Sequence, residues 1–426
     1  MRILLTGASG MIGQQLLAAL LAQGHQVLCA MRTAPKQTHP RLSFVHADFS
    51  KDSQQSVWQA RLKDVDAVIN AVGIFRQAGA QTFERLHKET PRALFAACAA
   101  SDSVQLVIQI SALGADKDAD SAYHLSKKAA DDYLASLPMR AYIVQPSLVY
   151  GKDGISARLF KVLASMPFSV RFGTAPQAVQ PIHLDDVVGA IVGLLRQPLP
   201  VGTDGATAQR VPLVGPAPMG FTDYLATLRS AMGMGKLRVL RLPALAGRLA
   251  ASLGIGLLDR DTLRMLDRGN TADPAPTARL LGHAPRAAAS FIEHPSAERV
   301  QAKLGWVLPP LRWSIAAVWI ATAVVSAFFY PERLSLELLE RTGVPPALGP
   351  LMLYGACAFD LAMGLGILLL RRHRRWLWRA QLALIAFYTV VIAWKLPEFL
   401  IHPYGPLTKN LPMLAAIWLL AQFEEA

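Results

Sequence analysis

The chain has 426 residues, a formal net charge of +13, 52% hydrophobic residues and a positive mean hydropathy. This length allows two or three domains with an ample core, and Cys29, Cys98 and Cys357 have no spacing that suggests a disulfide or a metal site. The basic residues neither alternate with aromatic ones nor form a DNA-reading helix, so we do not expect nucleic acid as a partner. Because the last quarter of the chain is very apolar, we expect the positive charge to face an anionic membrane surface.

The first thirteen residues, MRILLTGASGMIG, predict a nucleotide-binding turn. The apolar run 2–5 is typical of a buried parallel strand, and strong helix formers follow until Gly24. Gly7 allows a tight turn, Gly10 lets the backbone approach a pyrophosphate, and Gly13 lets the helix lie close to the sheet. Because the glycines follow a strand and open a helix, we interpret them as a dinucleotide site rather than an ordinary glycine-rich turn.

Further apolar runs alternate with helical segments, which predicts a doubly wound parallel sheet. The runs cover residues 26–31, 42–47, 65–71, 105–110 and 142–149. Helices are predicted near residues 53–62 and 81–100, the second kinked or broken at Pro91. Arg32, with Lys36 nearby, follows the second strand, where a basic residue accepts the additional phosphate of NADP. The sequence thus favours NADP, with NAD possible and a solvated loop arginine as the alternative.

Tyr123 and Lys127 are four residues apart on a predicted helix, which places them on one helix face. The lysine charge is expected to lower the pKa of the tyrosine, so that Tyr123 can act as a general acid or base near neutral pH. Ser111, at the end of the fifth strand, can hydrogen-bond a substrate carbonyl. A surface pair would explain the spacing alone, but together with the glycine turn and the strand order it predicts Ser111, Tyr123 and Lys127 as catalytic residues.

These residues resemble the short-chain dehydrogenase/reductases, in particular the extended and atypical members and the branch that contains the NAD(P)-binding accessory subunit of respiratory complex I. The resemblance covers about residues 1–300, through TGASGMIG at 6–13, ADF at 47–49, NAVG at 70–73, QPSLVYG at 145–151 and QPIHLDDVVGAI at 180–191. It implies that Tyr123 is the proton donor, Lys127 holds the nicotinamide ribose and Ser111 orients the substrate.

The pattern and the resemblance together give a set of cofactor contacts. These are Thr6, Gly7, Ser9, Gly10, Met11, Ile12, Gly13, Arg32, Asp48, Phe49, Ala71, Gly73, Tyr123, Lys127 and Pro146. The resemblance implies that Pro146 packs at the nicotinamide and that Asp48 and Phe49 lie at the adenine. His87 replaces the asparagine that usually supports the proton relay, and it could relay a proton or simply pack the helix. Some members of the branch are cofactor-binding scaffolds with little turnover.

Three domains are predicted: a nucleotide-binding core at residues 1–151, a substrate subdomain at 152–306 that could partly return to the sheet, and a membrane domain at 307–426. Six arginines recur at roughly helical intervals within the second. They are Arg238, Arg241, Arg248, Arg260, Arg264 and Arg268. This pattern predicts either a basic amphipathic helix on anionic lipid or a solvated helix face.

The last quarter predicts four membrane spans. Residues 313–330, 348–370 and 376–394 are long enough for a bilayer core of about 30 Å, and residues 411–423 form a shorter fourth run. Trp313, Tyr330, Trp376 and Trp394 suit an interfacial belt. The basic run RRHRR at 371–375 predicts a cytoplasmic hairpin, hence a multi-pass protein of the cell inner membrane with a cytoplasmic N-terminal domain. The absence of a leader before the first strand agrees with this orientation.

This quarter resembles the DoxX-like membrane domain through HPYGPLTKNLP at 402–412 and its helix spacing. Asp360 is expected to face the bundle interior, because a carboxylate at the bilayer centre costs about 3 kcal/mol. Glu398, His402 and Lys409 could bind a quinone or carry a proton, or could be ordinary interfacial residues.

The sequence therefore predicts an α/β fold, with a Rossmann doubly wound parallel sheet, a small substrate subdomain and a four-helix transmembrane bundle. The expected function is a membrane-anchored NAD(P)-dependent oxidoreductase that acts on a carbonyl or alcohol of a small apolar substrate, such as a quinone-, isoprenoid- or lipid-like molecule. The alternative is a nucleotide-binding scaffold or assembly factor for a membrane protein complex.

Overall fold

The computed structural model of the protein describes residues 1–34, 38–172, 177–197, 208–242, 260–370, 374–403 and 405–424. Lys36, Arg248, Tyr404 and the first three residues of the basic run lie outside the described residues. The chain forms two compact units, Met1–Ala302 and Lys303–Ala426.

A parallel seven-stranded sheet forms the centre of the first unit. The strands of this unit are β1 (Arg2–Thr6), β2 (Gln26–Met31), β3 (Leu42–His46), β4 (Ala67–Asn70), β5 (Leu106–Ile110), β6 (Ala141–Pro146), β7 (Val149–Tyr150), β8 (Phe168–Phe172), β9 (Ala178–Val179), β10 (Ile182–His183), β11 (Ala208–Leu213), β12 (Met219–Gly220) and β13 (Arg238–Leu242). The sheet order is β11-β6-β5-β4-β1-β2-β3. This confirms the predicted doubly wound parallel sheet and adds a seventh strand, β11, from the region beyond residue 151.

The helices of the first unit are α1 (Met11–Ala22), α2 (Gln55–Gln59), α3 (Thr90–Ala99), α4 (Ala122–Ala135), α5 (Ile155–Ser165), α6 (Leu184–Arg196) and α7 (Phe221–Ala231), followed by Arg260–Arg268 and Ala275–Leu281. α1 and α6 cover one face of the sheet and α2, α3 and α4 the other, whereas α5 and α7 pack together in a separate core. Successive residues of a strand point to opposite faces, so Ile3 and Leu5 pack under α1 and α6 while Leu4 packs with residues of α3 and α4. Both faces are apolar, as burial between two helical layers requires.

Two local predictions change in the structure. A π-helical turn at Glu84–Glu89 runs directly into α3, of which Pro91 is the second residue, so the irregularity expected at Pro91 is a π-helical turn in a helix that continues. The prediction of a continuous basic helix is wrong, because Arg238 and Arg241 lie on β13, which pairs in parallel with β8. Pairing with a neighbouring strand there outweighs the helical spacing of the arginines.

The second unit is helical. Its helices are Glu332–Thr342, Gly349–Leu369, Arg374–Lys395, Glu398–Ile401 and Asn410–Phe423, after the long helix Pro295–Val324 that begins in the first unit. By length and composition, three segments of the described chain can cross a membrane: Pro295–Phe329, Pro346–Leu369 and Arg375–Lys395. Asn410–Phe423 has 14 residues, about 21 Å of helix, so the fourth predicted run forms a helix shorter than a bilayer core. The amphipathic helix Glu332–Thr342 was not predicted.

Close helix packing defines the interior of the second unit. A Cβ at Gly364 would lie 2.7 Å from Ile320, so the small residue lets two helices approach. The Trp319 indole donates to Oε1 of Gln381 over 2.8 Å. Asp360 is buried at 8% exposure, as expected, and its Oδ1 has no partner. Glu398, at the start of the helix Glu398–Ile401, forms an ion pair with Arg341.

Candidate active site

The predicted site residues follow the carboxyl ends of the strands and therefore lie along one edge of the sheet. Thr6 and Pro146 end β1 and β6, while Ala71 and Ser111 directly follow β4 and β5. The strand order reverses between β1 and β4, where open parallel sheets bind ligands. Beneath this edge, Thr6 Oγ1 donates to Asn70 Oδ1 over 2.6 Å, which fixes the two central strands.

The turn after β1 is built from glycines with two different roles. Gly7 has a φ of +68°, and a Cβ there would lie 2.6 Å from the carbonyl group of Ala71. At Gly13 a Cβ would lie 2.1 Å from the Gly7 oxygen, so neither position accepts a side chain. Gly10 is exposed, and its Cβ would meet only the Gly7 oxygen, at 3.3 Å. Gly10 therefore leaves room for a ligand rather than for packing.

Helix α1 begins without a side-chain cap and without an acidic residue in its first turn. Its first N–H groups are thus available to an anion. Ser9 is exposed, Met11 and Ile12 are half-buried, and the Met11 sulfur packs closely against Gly151 and Gly154. An open glycine, free helix N–H groups and no nearby carboxylate fit the pyrophosphate of a dinucleotide.

Arg32 and Asp48 follow β2 and β3, on the side of the sheet edge where an adenosine is expected. Arg32 is exposed. Desolvation raises the pKa of Asp48, but hydrogen bonds from Ser50 and the charges of Lys51 and Arg32 outweigh it and hold the pKa below its usual value. The Phe49 ring instead lies in the core, at 7% exposure, edge-on to Trp58 with ring centroids 5.3 Å apart. The structure brings Asp48, and not the Phe49 ring, to the adenosine side.

Lys127 is buried between the ends of β4 and β5. Its Nζ donates to the carbonyl oxygens of Val72 (3.3 Å) and Ile110 (3.1 Å). A Cβ at Gly73 would lie 3.0 Å from Nζ, so only glycine leaves the lysine its space. Desolvation lowers the pKa of Lys127 to about 8, against the opposing charge of Asp131. The lysine is thus held rigidly, as a group that positions a ribose must be.

Tyr123 lies in a cluster of rings. Its ring centroid is 5.3 Å from that of Phe75, 5.7 Å from His87 and 5.4 Å from His124. Desolvation, followed by the charge of Asp131, raises the pKa of Tyr123 to about 12. The expected lowering by Lys127 is therefore wrong, because burial of the phenol and the negative charge of Asp131 both raise the pKa. Tyr123 is protonated at neutral pH and suits a proton donor better than a base.

Ser111 has a partner that the sequence analysis missed. Its Oγ donates to Oδ2 of Asp131, and both residues are buried. Asp131 lies one turn beyond Lys127 on α4, so the spacing Tyr123, Lys127, Asp131 on one helix face is the signal that could have found it. Burial raises the pKa of Asp131 to about 7. The serine, the lysine and this carboxyl form one buried polar group beside Tyr123.

His87 is held in place by two hydrogen bonds. Its Nε2 accepts from the Ile74 N–H over 3.0 Å, so Nδ1 carries the hydrogen and donates to Ser126 Oγ at 2.9 Å. Desolvation, followed by the charge of Lys127, lowers the pKa of His87 to about 2. Since both nitrogens are used and the ring stays neutral, His87 is a structural residue here and not a proton relay.

The loop after β5 is fixed by residues from the far part of the first unit. Arg268 donates to the Gly114 oxygen over 2.9 Å and pairs with Asp116, while Asn270 lies against the Leu113 oxygen. His124 Nδ1 and Asn270 Oδ1 are buried there without a hydrogen-bond partner. Sequence spacing gave no signal for this contact.

Comparison with known proteins finds one matching family within each of the two units. Residues 7–166 match a family described as NAD(P)H-binding, and residues 316–418 match the DoxX-like family. An epimerase family protein of Mycobacterium bovis is 28% identical over 268 residues, covering 58% of this chain and 84% of that protein. The ceramide reductase of Caulobacter vibrioides is 26% identical over 208 residues, covering 46% of this chain and 62% of that protein.

Among solved structures, the UDP-glucuronic acid 4-epimerase of Bacillus cereus, in complex with UDP-glucuronic acid and NAD, has the same fold. Its TM-score is 0.51 at 19% identity, covering 72% of this chain and all of that one. The glycine turn, the strand order and the two family matches lead to one conclusion. The first unit contains an NAD(P)H-binding domain of the Rossmann fold, and the second contains a DoxX-like domain.

Proposed function

We propose that the protein is a membrane-anchored oxidoreductase that uses NADP(H) in preference to NAD(H) and acts on a carbonyl or alcohol of a lipid-like substrate. The observation that carries this proposal is the position of Ser111, Tyr123 and Lys127 at the same sheet edge as the glycine turn. The similarity to a ceramide reductase supports a lipid-like substrate, and exposed Arg32 after β2 supports NADP.

In the direction of reduction, a bound NAD(P)H would supply a hydride to the carbonyl carbon. Ser111 orients the carbonyl through a hydrogen bond, and Tyr123, which is protonated at neutral pH, gives its proton to the carbonyl oxygen. Lys127, one turn further along α4, holds the nicotinamide ribose.

The surface of the helical unit supports the proposed membrane anchoring. Large apolar side chains are exposed on it, among them Phe328 (80%), Trp394 (79%) and Trp313 (64%). Exposed apolar surface of this kind is expected against lipid. The basic run at 371–375 supports an inner-membrane protein whose nucleotide-binding unit is cytoplasmic.

A second candidate function is a nucleotide-binding scaffold or assembly factor for a membrane complex. One observation favours it: the Ser111 hydroxyl is occupied by Asp131. In that case the nucleotide would stabilise the first unit without being consumed.

Titration of the full-length protein in detergent with NADPH and NADH, followed by nucleotide fluorescence, tests cofactor binding. NADPH oxidation with long-chain ketones then tests the reaction. Tyr123→Phe should keep nucleotide affinity and lose at least about 100-fold in kcat, because the proton donor is gone. Binding without turnover in the wild type, with complementation of a deletion strain by Tyr123→Phe, would establish the scaffold instead.

A further inference from the structure

Asp131 is a fully buried carboxyl group with a specific hydrogen-bond partner, which packing alone does not explain. The residue is 0% exposed, Oδ2 accepts from the Ser111 hydroxyl, and Oδ1 has no partner. A buried carboxylate with an unpartnered oxygen is costly to ionise. Lys127, one turn away, donates instead to two backbone carbonyl oxygens, so it does not neutralise Asp131 through a direct hydrogen bond.

The hydrogen bond between Ser111 and Asp131 can form in two directions. When Asp131 is ionised it only accepts, so the single Ser111 hydrogen points to Asp131 and none remains for a substrate. When Asp131 is protonated, its O–H donates to Ser111 Oγ, and the serine hydrogen becomes free to point elsewhere. The protonation state of Asp131 thus determines whether the Ser111 hydroxyl can donate a hydrogen bond to a substrate.

We propose that Asp131 is a positioning residue whose protonation state decides whether Ser111 can donate a hydrogen bond to the substrate carbonyl. The inference rests on the proposed reductase function, because the protonation of Asp131 regulates that same site. The form active in reduction is the one in which Asp131 is protonated.

Titratable and polar groups face Asp131 from three elements. Helix α4 contributes Tyr123, Lys127 and Asp132, and strand β11 contributes Arg210. The Ser111 hydroxyl faces it from the end of β5. Desolvation raises the pKa of Asp131 most and Asp132 raises it further, while Ser111, Lys127 and Arg210 lower it. The balance leaves the carboxyl to titrate near neutral pH, within the range that an enzyme meets.

The test is the pH profile of kcat/KM for NADPH-dependent reduction of a long-chain methyl ketone, from about pH 5 to about pH 9. The wild-type value should fall about tenfold per pH unit above the pKa of Asp131, until it reaches the level of Ser111→Ala, about 100-fold lower. Asp131→Asn should lack this fall, because its amide donates to Ser111 as the protonated carboxyl does. Ser111→Ala should be low at every pH and also lack it.

The charge of Asp131 raises the pKa of Lys127, so a fall caused by Lys127 should remain unchanged in Ser111→Ala and move to lower pH in Asp131→Asn. A fall at the wild-type midpoint that persists in Asp131→Asn would overturn the inference. Its persistence in Ser111→Ala would do the same, because Asp131 would then act through Tyr123 or Lys127.

An infrared difference spectrum between low and high pH gives a readout that does not need turnover. The wild type should show a carboxyl band that titrates near neutral pH and is missing from Asp131→Asn. If no such band exists, the inference is wrong even for an active enzyme. If the band exists but the wild type reduces no ketone at any pH, it is the proposed function that fails.

Discussion

The two ends of the proposed cofactor site are built differently. The phosphate end is made of backbone: Gly7 and Gly13 allow close contacts that a Cβ would prevent, and Gly10 leaves open space. The chemical end is made of buried side chains, of which Lys127 and His87 are held by hydrogen bonds to the main chain of other elements.

This difference separates geometry from chemistry. The glycine turn depends on residues within a few positions of one another, so its shape is set locally. The pKa values of Tyr123, Lys127 and Asp131 depend on burial and on one another, so they are set by the whole fold. Changes at the phosphate end should affect folding and binding, while changes at the chemical end should affect proton transfer and its pH dependence.

The largest effect is expected for Gly13→Val. Its Cβ would lie 2.1 Å from the Gly7 oxygen, a backbone atom that cannot move without opening the turn. We expect a loss of at least about 3 kcal/mol in the free energy of unfolding and no measurable nucleotide binding. Denaturant unfolding of the full-length protein in detergent, with NADPH fluorescence, measures both.

Gly10→Ala is the matched control within the same turn. Its Cβ meets only one atom, at 3.3 Å, so stability should change by about 1 kcal/mol or less, while NADPH affinity falls at least about tenfold. If Gly10→Ala bound NADPH as tightly as the wild type, the pyrophosphate could not lie at this position. The contrast between the two ends would then lose its basis.

The sequence was sufficient for the local features and insufficient for the long-range ones. Strand ends and glycine spacing predicted that Ser111, Tyr123 and Lys127 lie at the same sheet edge as the glycine turn, because parallel strands put their carboxyl ends together. The bond from Ser111 to Asp131 joins residues 20 apart, and only the register of β5 against α4 creates it. The pKa of Tyr123 was predicted in the wrong direction because spacing shows a neighbouring charge but not the depth of burial.

The second unit shows the same limit. Composition predicted the apolar helices, including a short last one, but not that Glu332–Thr342 would be helical. Hydropathy records how apolar a run is, whereas helix ends depend on prolines, caps and packing partners.

A smaller effect is expected at His87, at the chemical end. His87→Leu leaves the half-buried Ile74 N–H without its acceptor, which should cost about 1 kcal/mol. His87→Gln can keep an acceptor and a donor and should cost less. Neither change should alter the pH profile of reduction, because the ring is neutral at every working pH.

The stability of these variants should differ in acid. The folded pKa of His87 is lowered to about 2 from its ordinary value of 6.5. The unfolded chain therefore binds more protons, and the wild type should lose up to about 1.4 kcal/mol per pH unit as pH falls below the unfolded pKa. His87→Gln should lack this part of the slope. Equal slopes in the two proteins would mean that folded His87 becomes charged, which would reopen its role as a relay.

The smallest effect is expected at Arg32. At the phosphate end, this is the one side chain that we propose to distinguish NADPH from NADH. Arg32→Glu should weaken NADPH binding about tenfold, or about 1.4 kcal/mol, and change NADH binding far less. Arg41→Glu is the control: it makes the same charge change at an exposed residue just before β3, at the opposite edge of the sheet. If both variants lower NADPH affinity equally, the effect is that of net charge. If Arg32→Glu leaves the NADPH to NADH ratio unchanged, the arginine does not select the cofactor, and the phosphate end is built of backbone alone.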